Sequence, residues 1–112
     1  MLTIRNAQME VLRKAALNQF IFSTAARLRT DHPAKAAAFD DERLRDLVRL
    51  AAEKAPRYGI DKLTEVARFA AHLLLRGADF DQNQADQRLQ EILNDPEMHG
   101  WERLDELEYH FS

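Results

Sequence analysis

Apolar residues recur at three- and four-residue steps along most of this chain, and no stretch alternates with period two. The pattern therefore predicts helices and no sheet. In the first segment Ile4, Met9, Leu12, Ala16, Phe20 and Leu28 keep a broadly helical period, and Phe22 widens the face. Thr3 or Asn6 is placed to cap this helix at its start. Its end is expected near Arg29 to Thr30, because Pro33 disfavours the helical conformation just before it; the same proline suits the first turn of a short helix over "PAKAAAF".

The next segment, "ERLRDLVRLAAEKA", repeats Leu44, Leu47, Val48, Ala51 and Ala55 at helical spacing. Asp40 or Asp41 is its expected cap, and acids at its start with Lys54 and Arg57 at its end suit the helix dipole. Pro56 ends or kinks the last turn, Gly59 provides a C-terminal cap, and Ile60 follows as a hydrophobic stop contact. Asp61 is then expected to cap "KLTEVARFAAHLLLR". Val66, Ala67, Phe69, Ala70, Ala71, Leu73, Leu74 and Leu75 leave that helix little polar face, which places it at the centre of the fold.

Gly77 closes the central helix. A shorter helix is expected over about Gln84 to Leu93 with Leu89, Ile92 and Leu93 facing inward, and "NDP" breaks the chain after it. The last helix runs from about Pro96 or Gly100 to Tyr109, with Trp101, Leu104, Leu107 or Glu108, and Phe111 as its inward stripe. The expectation is an all-α fold: one compact domain over residues 1–112, five to six helices with short connections, and a buried central helix over about 61–76.

Composition narrows the chemistry. The chain has no Cys, so disulfides, thiolate metal sites and cysteine nucleophiles are excluded. No run approaches the roughly 20 apolar residues that span a bilayer, and "MLTIRNAQMEVLRK" lacks the continuous apolar region of a signal peptide. A cytoplasmic setting and no membrane contact are the corresponding expectations. The net charge of −3 is unevenly spread: Met1 to Ala78 carries 14 basic and 9 acidic residues, net +5, whereas Asp79 to Ser112 carries 2 basic and 10 acidic, net −8. Packing of the acidic part on the basic part, head-to-tail association, or a basic partner would each neutralise that asymmetry; internal packing is the simplest.

The stretch "RGADFDQNQADQRLQEIL" sets Asp79, Asp81 and Asn83 at alternate positions ahead of a helix, as a calcium loop would. An EF-hand, however, needs glycine at its sixth position and glutamate at its twelfth, and those positions hold Gln84 and Gln90. The same residues read as a polar turn in which Asp81 or Asn83 caps the following helix. The histidines His32, His72, His99 and His110 are scattered. His99, Glu102, Glu106 and His110 share a helical face, but eleven residues of helix separate the two histidines by about 16 Å, too far for one metal. His72, in the apolar central helix, reads as a hydrogen-bonded structural residue. No phosphate loop, nucleophile elbow or zinc-protease motif occurs, so neither a cofactor nor catalysis is expected.

Arg43, Arg45, Arg49, Lys54 and Arg57 make the third helix basic, but Glu42, Asp46 and Glu53 are interleaved as salt-bridge partners, and the whole chain is acidic. No nucleic-acid contact is expected. Aromatic residues on a terminal helix commonly anchor a protein partner. That picks out Trp101, Glu102, Asp105, Glu108, Tyr109 and Phe111 as candidate partner-binding residues.

Four stretches, "MLTIRNAQM", "RYGI" at residues 57–60, "VARFAAHLLLRGADFD" at 66–81 and "ILNDP" at 92–96, give the chain a further likeness. It resembles a family of short helical proteins encoded in bacterial type VI secretion clusters, beside spike proteins and their effectors or effector adaptors. The similarity spans most of the chain and rests on caps, glycines and the buried helix. Pro56 before "RYGI" and the "QNQ" after Asp81 depart from the family pattern. The resemblance implies a non-enzymatic accessory protein whose partner is a secretion effector, its adaptor or a spike component. The alternative is an immunity protein that neutralises a toxin through its acidic C-terminal third, with a DNA-binding regulator as a third class.

Overall fold

The computed structural model describes the backbone of residues 2–112 and the side chains from Arg13 onward. Six α-helices follow in order: α1 (Leu2–Asp31), α2 (Pro33–Ala36), α3 (Asp41–Lys54), α4 (Leu63–Arg76), α5 (Gln87–Asn94) and α6 (Gly100–Phe111). Two 3₁₀ turns lie between them, Ala55–Tyr58 and Phe80–Gln82, and there is no strand among the described residues. The all-α bundle with α4 at its centre is as the apolar spacing implies. Phe69, Ala70, Leu73 and Leu74 of α4 are buried against α3, α1 and α6.

Helix α1 starts at Leu2, ahead of both Thr3 and Asn6, so neither residue stands at its end as a cap. Ile4, Met9 and Leu12 of the expected stripe lie outside the described side chains. At about 1.5 Å per residue, 30 residues reach about 45 Å, against a longest molecular dimension of 52 Å. Its C-terminal half supplies Ile21, Thr24, Ala25 and Leu28 to the core, whereas residues 13–19 are all exposed, Ala16 included. The buried stripe is thus rotated from the expected one, with Phe20 half-buried at its edge. Arg29 ties the end of α1 to the following link: its guanidinium donates to the carbonyls of Ala36 and Phe39 and to Asp41.

Helix α3 is capped by Asp40, whose carboxylate accepts from the Arg43 amide at 2.8 Å. It tightens at Pro56 into a 3₁₀ turn and ends at Gly59, where φ is 71° and a side chain would be strained. The Ile60 amide returns to the Ala55 carbonyl at 3.1 Å and buries its side chain, the hydrophobic closure expected of such an end. Asp61 is not the cap of α4: the residue ahead of the helix is Lys62, with no side-chain cap. The 3₁₀ turn and the irregular link after Gly59 leave Asp61 exposed and one step too early. Nor does Asp81 or Asn83 cap α5. That role falls to Asp86, whose carboxylate accepts from the Leu89 amide at 3.1 Å, and α5 accordingly starts three residues later than expected.

Candidate functional site

The last helix is held from beneath by a charged residue that the hydrophobic pattern does not mark. Arg103 is 5% exposed, and its guanidinium faces carbonyls, with no carboxylate bonded to it among the described residues. Nε donates to Tyr58 at 2.8 Å, Nη1 to Ile92 and to Leu93 at 2.9 Å, and Nη2 to Asp95 at 3.0 Å and Met98 at 2.9 Å. Ile92 and Leu93 belong to the last turn of α5, whose carbonyls have no intrahelical donor. One side chain therefore caps α5, closes the 3₁₀ turn after α3 and anchors α6. Burial pulls its pKa below the ordinary arginine value, yet guanidinium remains charged across the accessible pH range. At the start of α6, a Cβ on Gly100 would lie 2.3 Å from the Gly59 carbonyl oxygen, so it is the bare Cα of Gly100 that lets these backbones touch.

A second buried network underlies the "DFD" turn. Asp81, 2% exposed, accepts from Lys54 Nζ at 2.7 Å, from the Tyr58 hydroxyl at 2.6 Å and from Gln82 Nε2 at 3.0 Å; Lys54 also donates to the Ala78 carbonyl at 2.9 Å. Burial alone would push the Asp81 carboxyl up, but these three donors outweigh it and hold it below the usual range. The Tyr58 hydroxyl is pushed well above its ordinary value by the same burial and by the carboxylate it bonds. The residues that resemble a calcium loop are thus occupied by a lysine. Asn83 closes its own turn on the Ala85 amide.

His72 is 4% exposed and packs near Phe80 and Phe111 at ring-centroid distances of 5.9 and 6.1 Å. It is buried as expected but not hydrogen-bonded: Nδ1 has no partner, and Nε2 lies 3.9 Å from the Glu108 carboxylate. Burial, reinforced by Arg76, pulls its pKa down to about 4. His99 and His110 go to different places, His99 beside Trp101 in a stacked pair and His110 onto Asp86 at 2.8 Å. Among the described residues no group of three or more His, Asp or Glu could hold a metal. In α3 only part of the expected ion pairing forms: Asp46 bonds Arg49 at 2.6 Å, but Arg45 sits over the Phe22 ring and Lys54 turns inward.

The six candidate residues of the last helix divide. Buried positions of α6 are Gly100, Arg103, Leu104 and Leu107, with Phe111 half-buried against Phe80 and beneath Arg76. Trp101 is therefore not inward: it is 52% exposed, and Tyr109 is 81% exposed. Glu102 accepts from the His99 amide at 3.2 Å and closes the helix start. Trp101, Asp105 and Tyr109 form one i, i+4 row, with Glu108 beside it. Arg68 of α4 fixes the row's orientation by donating to Asp105 at 2.7 Å and to both Glu108 oxygens at 2.7 and 2.9 Å. The hydrogen bonds Arg68 donates to Glu108, ahead of the one it donates to Asp105, raise its pKa despite burial. Arg68 also lines a groove of about 600 Å³ between α1 and α4, walled by Phe20, Leu28, Leu63 and Ala67 and fringed by Arg27.

The chain matches no family model, no curated protein and no solved structure. Chemistry and geometry are therefore what bear on its role. No helix among the described residues is long and apolar enough to cross a membrane. The best-defined surface feature is the aromatic and acidic row of α6, held rigidly by Arg103 below and Arg68 beside it. Sequence reasoning finds four of its residues but misses both arginines that position them.

Proposed function

We propose that this chain is a non-enzymatic, cytoplasmic accessory protein that docks a protein partner on the outward row of α6. The observation that carries the reading is the exposure of Trp101 and Tyr109, 52% and 81%, on a helix whose other face is locked into the core. Large aromatic side chains offered on a rigid helix lose little conformational freedom on binding and are favoured interface anchors. Asp105 and Glu108, two acids that share the single cation of Arg68, leave the row a net negative charge that suits a basic partner. With the resemblance to accessory proteins of type VI secretion clusters, the partner is a secretion effector, its adaptor or a spike component, and the protein acts by surface complementarity during loading.

Co-expression with each product encoded beside its gene tests the reading. Co-purification with an effector, adaptor or spike component is expected, and failure to bind any of them contradicts it. The acidic character of the row also suits the cationic cleft of a toxin, which is the immunity reading. Survival separates the two, because an immunity protein rescues cells from the toxin and a loading factor supports only its export.

A further inference from the structure

Hydroxyl side chains inside helices commonly return their proton to a carbonyl one turn back. In α1, Ser23 does so to Phe20 at 3.2 Å and Thr30 to Ala26 at 3.1 Å. Thr24 does not. It is 7% exposed, yet its hydroxyl makes no hydrogen bond among the described residues. Nor is that hydroxyl sealed in: among the described residues, His72 Nδ1 is the one unpartnered side-chain atom that is fully enclosed. The Thr24 hydroxyl therefore opens onto the groove that Thr24 lines between α1 and α4. Leaving it unmet among apolar side chains costs stability, although a threonine rotamer that bonds the preceding turn exists in helices.

The groove itself has the proportions of a small-molecule site. Its volume is about 600 Å³, and such sites run to about 300–1,000 Å³, mostly apolar with a few placed polar groups. Along α1 the lining reaches from Phe20 to Asp31, a span of about 16 Å at the helical rise. Phe20, Leu28, Leu63, Ala67 and Ala71 provide the apolar walls. The arginines of the lining are already met: Arg27 lies 3.6 Å from Asp31, which lines the same groove, and Arg68 bonds Asp105 and Glu108. An anion would have to compete with those acids for either arginine. An uncharged molecule meets apolar walls and one waiting hydroxyl.

We propose that this groove binds an uncharged small molecule with an elongated apolar body and one hydrogen-bonding group, the body lying between α1 and α4 and the polar group meeting the Thr24 hydroxyl. The site draws on no residue of α6, so it goes beyond partner docking and stands independently of it.

N-phenylnaphthylamine, an uncharged pair of aromatic groups joined by one N–H, is a suitable probe because its fluorescence rises in apolar surroundings. Titration into the purified protein is expected to saturate at one probe per chain. Thr24→Val keeps the side-chain shape and removes the hydroxyl; it should weaken binding about three- to tenfold, the effect of one hydrogen bond. Because the hydroxyl has no internal partner to lose, the same variant should melt no lower than the parent. Ala67→Leu, which fills the groove from a half-buried position, should weaken binding at least about tenfold. Phe22→Ala, an exposed apolar position outside the groove, should leave it unchanged. The anionic counterpart, anilinonaphthalene sulfonate, should bind more weakly than the uncharged probe. Circular dichroism checks that each variant keeps its helices. Failure of the uncharged probe to saturate overturns the proposal, as does binding indifferent to either Thr24→Val or Ala67→Leu, or equal affinity for the sulfonate. None of these results bears on binding of a protein to α6, so failure here and failure of the functional reading are distinguishable.

Discussion

Replacing Arg103 with Met keeps much of the side-chain volume and removes all five hydrogen bonds that join the end of α5, the 3₁₀ turn and α6. The bonds to Tyr58, Ile92 and Leu93 are buried, while those to Asp95 and Met98 reach the edge of the core. A buried carbonyl left without a donor costs about 1–3 kcal/mol. Three such carbonyls, partly rehydrated by local fraying of α5, give a loss of about 3–6 kcal/mol. A domain of this size has roughly 5–15 kcal/mol in all. The guanidinium no longer has to be desolvated in the variant, which places the loss toward the lower end of that range. Arg103→Lys keeps the charge but presents it from one point, so it should recover less than half of the loss. Urea unfolding followed by circular dichroism measures both, with a lower midpoint and an unchanged slope expected. A Met variant within about 1 kcal/mol of the parent, the behaviour of a surface position, would refute the cage as a stabilising element.

Gly100→Ala forces a Cβ against the Gly59 carbonyl, 2.3 Å away in the present backbone; α6 must shift, and a fall in melting temperature corresponding to about 2 kcal/mol or more is expected. Lys54→Met leaves Asp81 buried without its cation, at a cost of about 3–5 kcal/mol that Asp81→Asn in the same chain should partly restore, as a double-mutant cycle would show. For His72, the pKa in the folded protein, about 4, lies below the ordinary 6.5. Below pH 6.5 the unfolded chain therefore takes up a proton that the native state refuses, and stability falls as pH drops from 6.5 to 4, by about 3 kcal/mol in all. His72→Phe should flatten that part of a stability–pH curve. Asp81, whose folded pKa is depressed, contributes above the ordinary carboxylate range and loses its contribution only as pH falls below it.

What could be read from the sequence is what local chemistry decides. Asp40 as a cap, Gly59 and Gly77 as helix ends, and the apolar surround of α4 each depend on a few adjacent residues, and the structure has all of them. The misses share a different cause. Asp81 has the local signature of a cap, but its partner Lys54 lies 27 residues away, and no adjacent residue announces that pairing. Arg103 sits in a correctly spaced inward stripe, 100, 103, 104, 107 and 111. Weighing positions by apolarity discounts a glycine and an arginine and admits the neighbouring Trp101 in their place. That substitution rotated the expected face of α6 and hid the anchor of the candidate site, while still selecting the aromatic residues the site displays.

In the proposed role, Trp101 and Tyr109 on α6 dock a protein partner. Isothermal titration of whichever neighbouring gene product co-purifies, against the parent chain and against Trp101→Ala/Tyr109→Ala, tests it most directly. Affinity should fall at least about tenfold in the variant while thermal unfolding stays within about 0.5 kcal/mol of the parent, as for exposed positions. Equal affinity for the two proteins would contradict the assignment of this face.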